Sequence, residues 1–103
     1  MPNFDAVEGF EWDEGNARKN EKHGVSQQEA EQLFFNTPLV VSEDVGHSFS
    51  EPRFHALGKT NDRRLLHVTF TLRASGKRIR VISARAMHRK ERIVYGQESE
   101  DNS

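Results

Sequence analysis

Basic side chains, accompanied by a few histidine, glutamate and tyrosine residues, dominate the chemistry that this sequence can offer. The chain has no cysteine, which excludes a disulfide framework, a thiolate metal site and a cysteine nucleophile. Its five histidines show neither the helical pair of a zinc protease nor the spacing of a zinc finger. Glycine-rich phosphate loops, dinucleotide fingerprints and serine-hydrolase elbows are also missing from the sequence. We therefore expect neither a catalytic metal nor a cofactor.

The remaining residue types suit the cleavage of an RNA phosphodiester without a metal ion. In RNA the 2'-hydroxyl can attack the adjacent phosphorus, so a protein must supply a base, a cation and an acid. Arg80 is the first candidate for the cation, because a guanidinium keeps its charge and contacts phosphate through two bonds. His67 is a candidate general acid or base. Arg85 is a candidate for holding a phosphate, and Glu91 and Tyr95 are candidates for base and acid.

Each of these side chains also has a purely structural explanation. In the structural explanation, Arg80 is the cross-strand partner of Thr71 on a solvated sheet face, and His67 is a polar edge residue among threonines. Arg85 suits a salt bridge to the acidic N-terminal half of the chain. Tyr95 suits an anchor for a helix, which is the explanation that we favour for this residue.

The charge of the chain is divided unevenly along its length. Residues 53–95 carry 12 Lys or Arg residues against 2 Asp or Glu residues, whereas residues 1–52 carry 3 against 11, and residues 96–103 add three acids. This division predicts a basic surface for a polyanion on the C-terminal half, with acidic segments that shield it or meet another partner. An ordinary solvated surface is the alternative.

Length and composition indicate one domain with a thin core. Only 34% of the 103 residues are hydrophobic, which suggests that a partner or a second copy covers part of the apolar surface. We assign 1–9 to an N-terminal extension, 10–95 to the domain and 96–103 to a disordered acidic tail. The sequence has no apolar run of membrane-spanning length and no signal-peptide pattern, so we expect a cytoplasmic protein without a membrane segment.

Local patterns predict a strand, two helices, four strands and a last helix. Asp13 is placed to cap a helix that ends near Gly24, and Ser26 with Glu29 has the spacing of a capping box that starts a second helix. We therefore expect an α+β domain, in which an antiparallel sheet carries two N-terminal helices and one C-terminal helix, mainly on one face. The predicted strands lie at 10–12, 39–45, 53–57, 65–73 and 77–83, and the last helix lies at 84–95.

A two-residue turn at 75–76 fixes the predicted register of the last two strands. It pairs Thr71 with Arg80 and, further along, Thr69 with Ile82, which leaves one apolar face and one polar face. The last helix would then carry a basic stripe beside this polar face. The polar face presents His67, Thr69, Thr71, Arg78 and Arg80, the stripe consists of Arg85, Arg89 and Arg92, and Arg78, Arg89 and Arg92 are candidate RNA-binding residues.

Several segments of the chain resemble one known family, and they occur in the same order. The similarity spans 10–95 and includes FEWD and KHG motifs, an R-F-x-x-x-G motif, and an S-A-R signature followed by Glu91 and Tyr95. The chain resembles the BrnT toxins of type II toxin-antitoxin systems, although His88 stands where the family has a second alanine. The segments are FEWDEGNARKNEKHGVSQQEAEQLFFN at 10–36, RFHALGKT at 53–60, RLLHVTFTLR at 64–73 and RIRVISARAMHRKERIVY at 78–95.

The resemblance implies a RelE-like fold and a ribonuclease toxin that cleaves RNA and halts translation. It also implies a BrnA antitoxin with a DNA-binding domain, so that the toxin forms a hetero-oligomer with it and reaches operator DNA only through it. Non-catalytic binding of nucleic acid and a structural adaptor role are the alternatives. The family motifs single out Arg53, Arg80, Ser83, Arg85, Glu91 and Tyr95 as a possible site, and Arg53 and Ser83 join the candidate RNA-binding residues.

Overall fold

The computed structural model describes residues 4–47 and 51–101, which form a five-stranded sheet and three α-helices. The sheet order is β1-β5-β4-β3-β2. Parts of the predicted extension and tail, 1–3 and 102–103, lie outside the described residues. The elements are β1 Gly9–Glu11, α1 Glu14–Lys22, α2 Gln27–Gln32, β2 Val40–Glu43, β3 Arg53–Lys59, β4 Leu65–Arg73, β5 Arg78–Ala86 and α3 Arg89–Asp101, with single 3-10 turns at Leu33–Phe35 and Val45–His47.

The sheet combines an antiparallel meander with one parallel edge strand. Strands β2 to β5 follow one another as antiparallel neighbours, whereas β1 lies parallel to β5 with Phe10 opposite Ile79. The predicted α+β class is confirmed, but the sheet is mixed rather than antiparallel throughout. The meander was predictable because consecutive strands tend to pair, while the pairing of β1 with β5 is non-local and has no sequence signal of its own.

Local capping signals set the N-terminal helices as the sequence predicts. The Asp13 side chain accepts hydrogen bonds from the backbone N–H groups of Gly15 and Asn16 at 2.8 and 3.4 Å. Ser26 and Glu29 exchange the two bonds of a capping box, each 3.1 Å long. Gly24 follows α1 with a φ of 74°, a left-handed conformation that costs glycine little. These caps fix where α1 and α2 lie against the sheet.

Apolar side chains of the central strands pack on one face of the sheet against the segment that contains α2. The opposite face is the polar one, and α3 lies over it, because Glu91 and Val94 line a groove together with His67 of β4. The helices therefore occupy both faces, which corrects the expectation that they lie mainly on one. The buried core consists of Val25, Ala30, Leu33, Phe54, Ala56, Leu66, Val68, Phe70, Ile79, Val81 and Ala84.

Close packing around position 58 of β3 leaves no room for a side chain, so glycine is required there. A Cβ atom at this position would lie 2.9 Å from Leu33 Cγ and 3.2 Å from Leu39 Cδ1. We expect Gly58→Ala to lower the free energy of unfolding by about 1–3 kcal/mol, since a filled core accepts an added methyl group only with strain. Gly96→Ala is the matched control, because it adds a methyl group with no neighbour within 4 Å inside α3. Urea denaturation measures both changes, and equal midpoints for Gly58→Ala and wild type would contradict the prediction.

The end of the chain differs from its predicted secondary structure. Strand β5 continues to Ala86 and α3 begins at Arg89, whereas a helix was predicted from 84 onward. Pairing with β4 overrides the helical preference of the alanines in this segment. Arg85 is therefore a strand residue, and the predicted helical stripe of Arg85, Arg89 and Arg92 is wrong.

Both ends of the predicted domain are also more ordered than their sequences indicate. Phe4 and Val7 pack against the core, and the backbone N–H of Glu8 donates to the carbonyl of Lys77 at 2.6 Å. Residues 4–9 are thus part of the packed fold rather than an extension. At the other end α3 runs on to Asp101, so 96–101 are helical where a disordered tail was predicted.

A bulge interrupts the ladder between β4 and β5. The register follows the prediction from the turn as far as Phe70 opposite Val81, and then shifts by one residue. Ile82 has no partner on β4, and Thr69 lies opposite Ser83 rather than Ile82. Because a shift of one residue reverses which face each following side chain occupies, the bulge decides the orientation of Ser83 and Arg85.

Candidate active site

Polar side chains from three neighbouring strands share the face of the sheet that α3 covers in part. Cross-strand pairing places Thr71 beside Arg53 and Arg80, and it places His67 beside Arg85. An open groove with a volume of about 370 Å³ lies between this face and α3. The groove is lined by Val40, Ser42, His55, Leu57, His67, Glu91 and Val94.

Arg85 and Glu91 form a two-point ion pair at the groove. Arg85 Nη1 donates to Glu91 Oε1 at 2.7 Å and Nη2 donates to Oε2 at 3.0 Å. The same carboxylate accepts the backbone N–H of His88 at 2.8 Å, as a glutamate of the first turn does at a helix N-terminus. The Arg85 bonds first, and the His88 bond with them, lower the pKa of Glu91 to about 2 against the opposing effect of burial. Glu91 is therefore a carboxylate at neutral pH.

His67 lies beside this ion pair and is nearly buried. Its side chain is 11% exposed, and Nε2 lies 3.9 Å from Glu91 Oε2. Its Nδ1 atom is buried without a hydrogen-bond partner among the described residues. Burial, and then the positive charge of Arg85, lower the pKa of His67 to about 4 despite the attraction of Glu91. The imidazole is therefore neutral at pH 7 and is able to accept a proton.

A second histidine at the groove was not among the predicted site residues. His55 Nε2 lies 2.9 Å from Asp44 Oδ2, and His55 Nδ1 lies 3.0 Å from Thr69 Oγ1. The centroids of the His55 and His67 rings are 5.0 Å apart. Alternation along β3 from Arg53 would have placed His55 on the polar face, but the contribution of Asp44 depends on the path of the chain after β2 and has no sequence signal.

Arg80, the first candidate for the cation, occupies the same face but lies away from the groove. It is the neighbour of Thr71, as expected, and its Nη2 lies 3.4 Å from Asp13 Oδ2. Arg80 lies five positions before Arg85 on β5, which places the two Cα atoms about 16 Å apart. The structure therefore brings Arg85, His67 and Glu91 together and leaves Arg80 outside that cluster.

The other predicted site residues lie around this cluster. Ser83 sits opposite Thr69, between Arg80 and Arg85 on β5. Tyr95 is buried, and its hydroxyl donates to the Pro38 carbonyl at 2.7 Å. That bond anchors α3, and burial raises the pKa of the phenol. The exposed candidates are Arg78 on β5, and Arg89 and Arg92 on α3.

Residues 4–47 and 51–101 contain neither a cluster of metal ligands nor a helix of membrane-spanning character. No group of three or more His, Asp or Glu side chains there could hold a metal ion. None of the helices in those ranges combines the length and the apolar character needed to cross a membrane.

The fold and the groove define a small α+β protein whose half-covered sheet face presents histidines beside an arginine–glutamate pair. Residues 12–91 match the family described as the ribonuclease toxin BrnT of type II toxin-antitoxin systems. The chain belongs to this BrnT family and is a ribonuclease toxin of a type II system. The crystal structure of the Brucella abortus ribonuclease toxin BrnT aligns with a TM-score of 0.61 at 22% identity, over 81% of this chain and 100% of that chain, and shows that the fold is shared. No curated protein sequence matches the chain.

Proposed function

We propose that the groove is the active site of an endoribonuclease that cleaves RNA without a metal ion and thereby inhibits translation. The observation that carries the proposal is the neutral His67 beside the Arg85–Glu91 pair, in an open groove. A base that is unprotonated at pH 7 and a fixed cation are two of the three groups that cleavage through the 2'-hydroxyl requires. The basic segment 53–95 supplies the charge that attracts RNA.

The proposed mechanism assigns the proton transfers to His67. His67 accepts the proton of the 2'-hydroxyl as that oxygen attacks phosphorus, and the resulting imidazolium returns the proton to the departing 5'-oxygen. The products are a 2',3'-cyclic phosphate and a free 5'-hydroxyl, so atoms and charge balance. Arg85 stabilises the negative charge on the phosphorane oxygens, and Glu91 orients Arg85 rather than acting as an acid, because it is ionised at neutral pH.

The remaining candidates are assigned to binding rather than to proton transfer. Arg80 lies along the sheet from the groove and is suited to a phosphate that flanks the scissile one. The Tyr95 hydroxyl is occupied by the Pro38 carbonyl, which supports anchoring. The proposed RNA-binding residues are Arg53, Arg78, Arg80, Ser83, Arg89 and Arg92.

Cleavage in the presence of a chelator tests the proposed chemistry. We expect the purified, antitoxin-free chain to cut RNA at the same rate with and without EDTA, because side chains alone supply the charge stabilisation. His67→Gln, purified in parallel, controls for contaminating nucleases. Activity that is lost with EDTA and restored by a divalent ion would show that the mechanism is wrong. RNA that is bound but left intact would favour a non-catalytic binding module.

We further propose that a BrnA-like antitoxin forms a hetero-oligomer with the chain in the cytoplasm and covers the groove. Ile93 and Val94 of α3 are 52% and 46% exposed, and Val94 lines the groove. Exposed apolar side chains within the basic segment 53–95 suit a partner with apolar and acidic side chains. In this proposal the chain is held on operator DNA only through the antitoxin. We expect hydrogen exchange to show antitoxin-dependent protection within 53–95, and protection confined to 4–36 would contradict this placement.

A further inference from the structure

Two asparagines of α1 contact β5 on either side of its bulge. Asn20 Oδ1 accepts the backbone N–H of Ala84 at 2.9 Å, and Asn16 Nδ2 donates to the carbonyl of Val81 at 3.5 Å. The two residues lie one turn apart and so face the same way from the helix. Between their partners lies Ile82, the bulged residue. We propose that Asn20, supported by Asn16, is a positioning residue of the active site that holds this bulge and thereby turns Arg85 toward His67.

This proposal rests on the proposed function of Arg85. The register of β4 and β5 shows why Arg85 reaches His67 only when β5 has a bulge. Without it, the pairing set by the turn would continue, and Arg85 would lie opposite Leu66, whose side chain is fully buried in the core. With it, Arg85 lies opposite His67. A bulge leaves backbone groups without ladder partners. Here the side-chain amide of Asn20 accepts the N–H of Ala84, and that of Asn16 donates to the C=O of Val81.

The burial of Asn20 supports a specific role for its oxygen. Asn20 is 1% exposed and is the one buried residue among the nine of α1. Its Nδ2 is buried without a hydrogen-bond partner among the described residues. An unpaired buried N–H costs stability, so an apolar residue would suit this contact better if packing were its whole purpose. The bond that Asn20 does make, to Ala84 N–H, lies one residue from both Ser83 and Arg85.

The test combines a cleavage assay with an NMR titration of the His67 ring. In Asn20→Ala we expect Arg85 to leave the groove, so that the pKa of His67 rises by about 1 unit or more. Cleavage by the folded fraction should fall by about 10-fold to 100-fold. Arg85 of β5, Glu91 of α3, His55 of β3 and His88 before α3 all act on His67, and Arg85 is the one that the bulge moves.

Further variants separate positioning from general stability. Asn20→Asp keeps an acceptor oxygen, and burial at this 1% exposed position favours its neutral, protonated form, so this variant should restore both the low His67 pKa and the cleavage rate. Asn36→Ala is the matched control, because it removes side-chain amide bonds far from the bulge, from Nδ2 to the Lys59 carbonyl at 2.9 Å and to Asn61 Oδ1 at 3.1 Å. It should leave the pKa of His67 unchanged. Asn16→Ala loses the longer bond, 3.5 Å, and should raise the pKa of His67 less than Asn20→Ala does.

A folded Asn20→Ala protein with an unchanged His67 pKa would overturn the proposal. If Asn20→Ala does not fold, Asn16→Ala provides the test. A His67 pKa that is the same in Asn16→Ala as in Asn36→Ala would then overturn the proposal. The failure of the proposed function looks different. If wild type does not cleave RNA while the pKa of His67 still rises in Asn20→Ala, the positioning role of Asn20 is supported and the nuclease role of the groove is not.

Discussion

Replacing Arg85 by alanine is expected to lower RNA cleavage by about 100-fold or more, as does the loss of one donor that stabilises a developing oxyanion. Arg85 lies opposite His67 on the neighbouring strand, and its guanidinium is already oriented by two bonds to Glu91. The loss should fall on kcat rather than on KM, because the charge that Arg85 meets develops in the transition state. Arg85→Lys should recover only part of the rate, since an ammonium group cannot make the planar two-point contact to Glu91 that orients the Arg85 guanidinium.

The assay should be normalised to folded protein. Arg85→Ala leaves the Glu91 carboxylate, which is 23% exposed, without its partner, and we expect a cost of about 1–3 kcal/mol in the free energy of unfolding. Arg18→Ala is the matched control, because Arg18 also pairs with a glutamate but does so on the exposed surface of α1. Native-rate cleavage by folded Arg85→Ala would remove Arg85 from the mechanism.

Acidification from pH 6.5 to pH 4 is expected to lower the free energy of unfolding by about 3 kcal/mol through His67 alone. In this window the imidazole of the unfolded chain binds a proton, whereas the folded protein keeps it neutral until the pH approaches 4. The unfolded state therefore gains protons, and stability that is complete above pH 6.5 is lost as the pH falls. Glu91, whose pKa is about 2, adds its own loss only below pH 4.5.

Urea denaturation at a series of pH values measures this loss. His67→Gln should remove most of the decrease between pH 6.5 and pH 4, whereas His23→Gln, at an exposed position at the end of α1, should leave it in place. Arg85, Glu91, His55 and His88 all face His67, so each variant should be compared at constant ionic strength. A decrease that is unchanged in His67→Gln would show that His67 is not the group responsible.

Much of the fold was predictable because its determinants are close together in the sequence. The capping box of Ser26 and Glu29 was predicted from spacing. The turn after β4 also lies where it was predicted, although it spans 74–77 and has three residues with positive φ, Ala74, Ser75 and Gly76. Alternation along β4 identified its buried face correctly. Each of these features depends on a few neighbouring residues, whose propensities agree with the tertiary structure.

The features that prediction missed depend on contacts between distant segments. Nothing near Ile82 indicates a bulge, because its neighbours in the structure are asparagines of α1. The helix predicted from 84 onward failed since pairing with β4 outweighed the local preference of its alanines. For the same reason sequence reasoning made Arg80 the first candidate for the cation, although it is Arg85 that lies with His67 and Glu91.

The pairing of β1 with β5 also sets when this fold can be completed during synthesis. A ribosome releases β1 and α1 long before β5 has been synthesised, and the loop that their pairing closes includes most of the chain. Such distant pairings form late, because the entropy of closing a long loop must be overcome first. Arg85 and Glu91 lie on the last strand and the last helix, so the proposed active site cannot form until synthesis of the chain is almost complete.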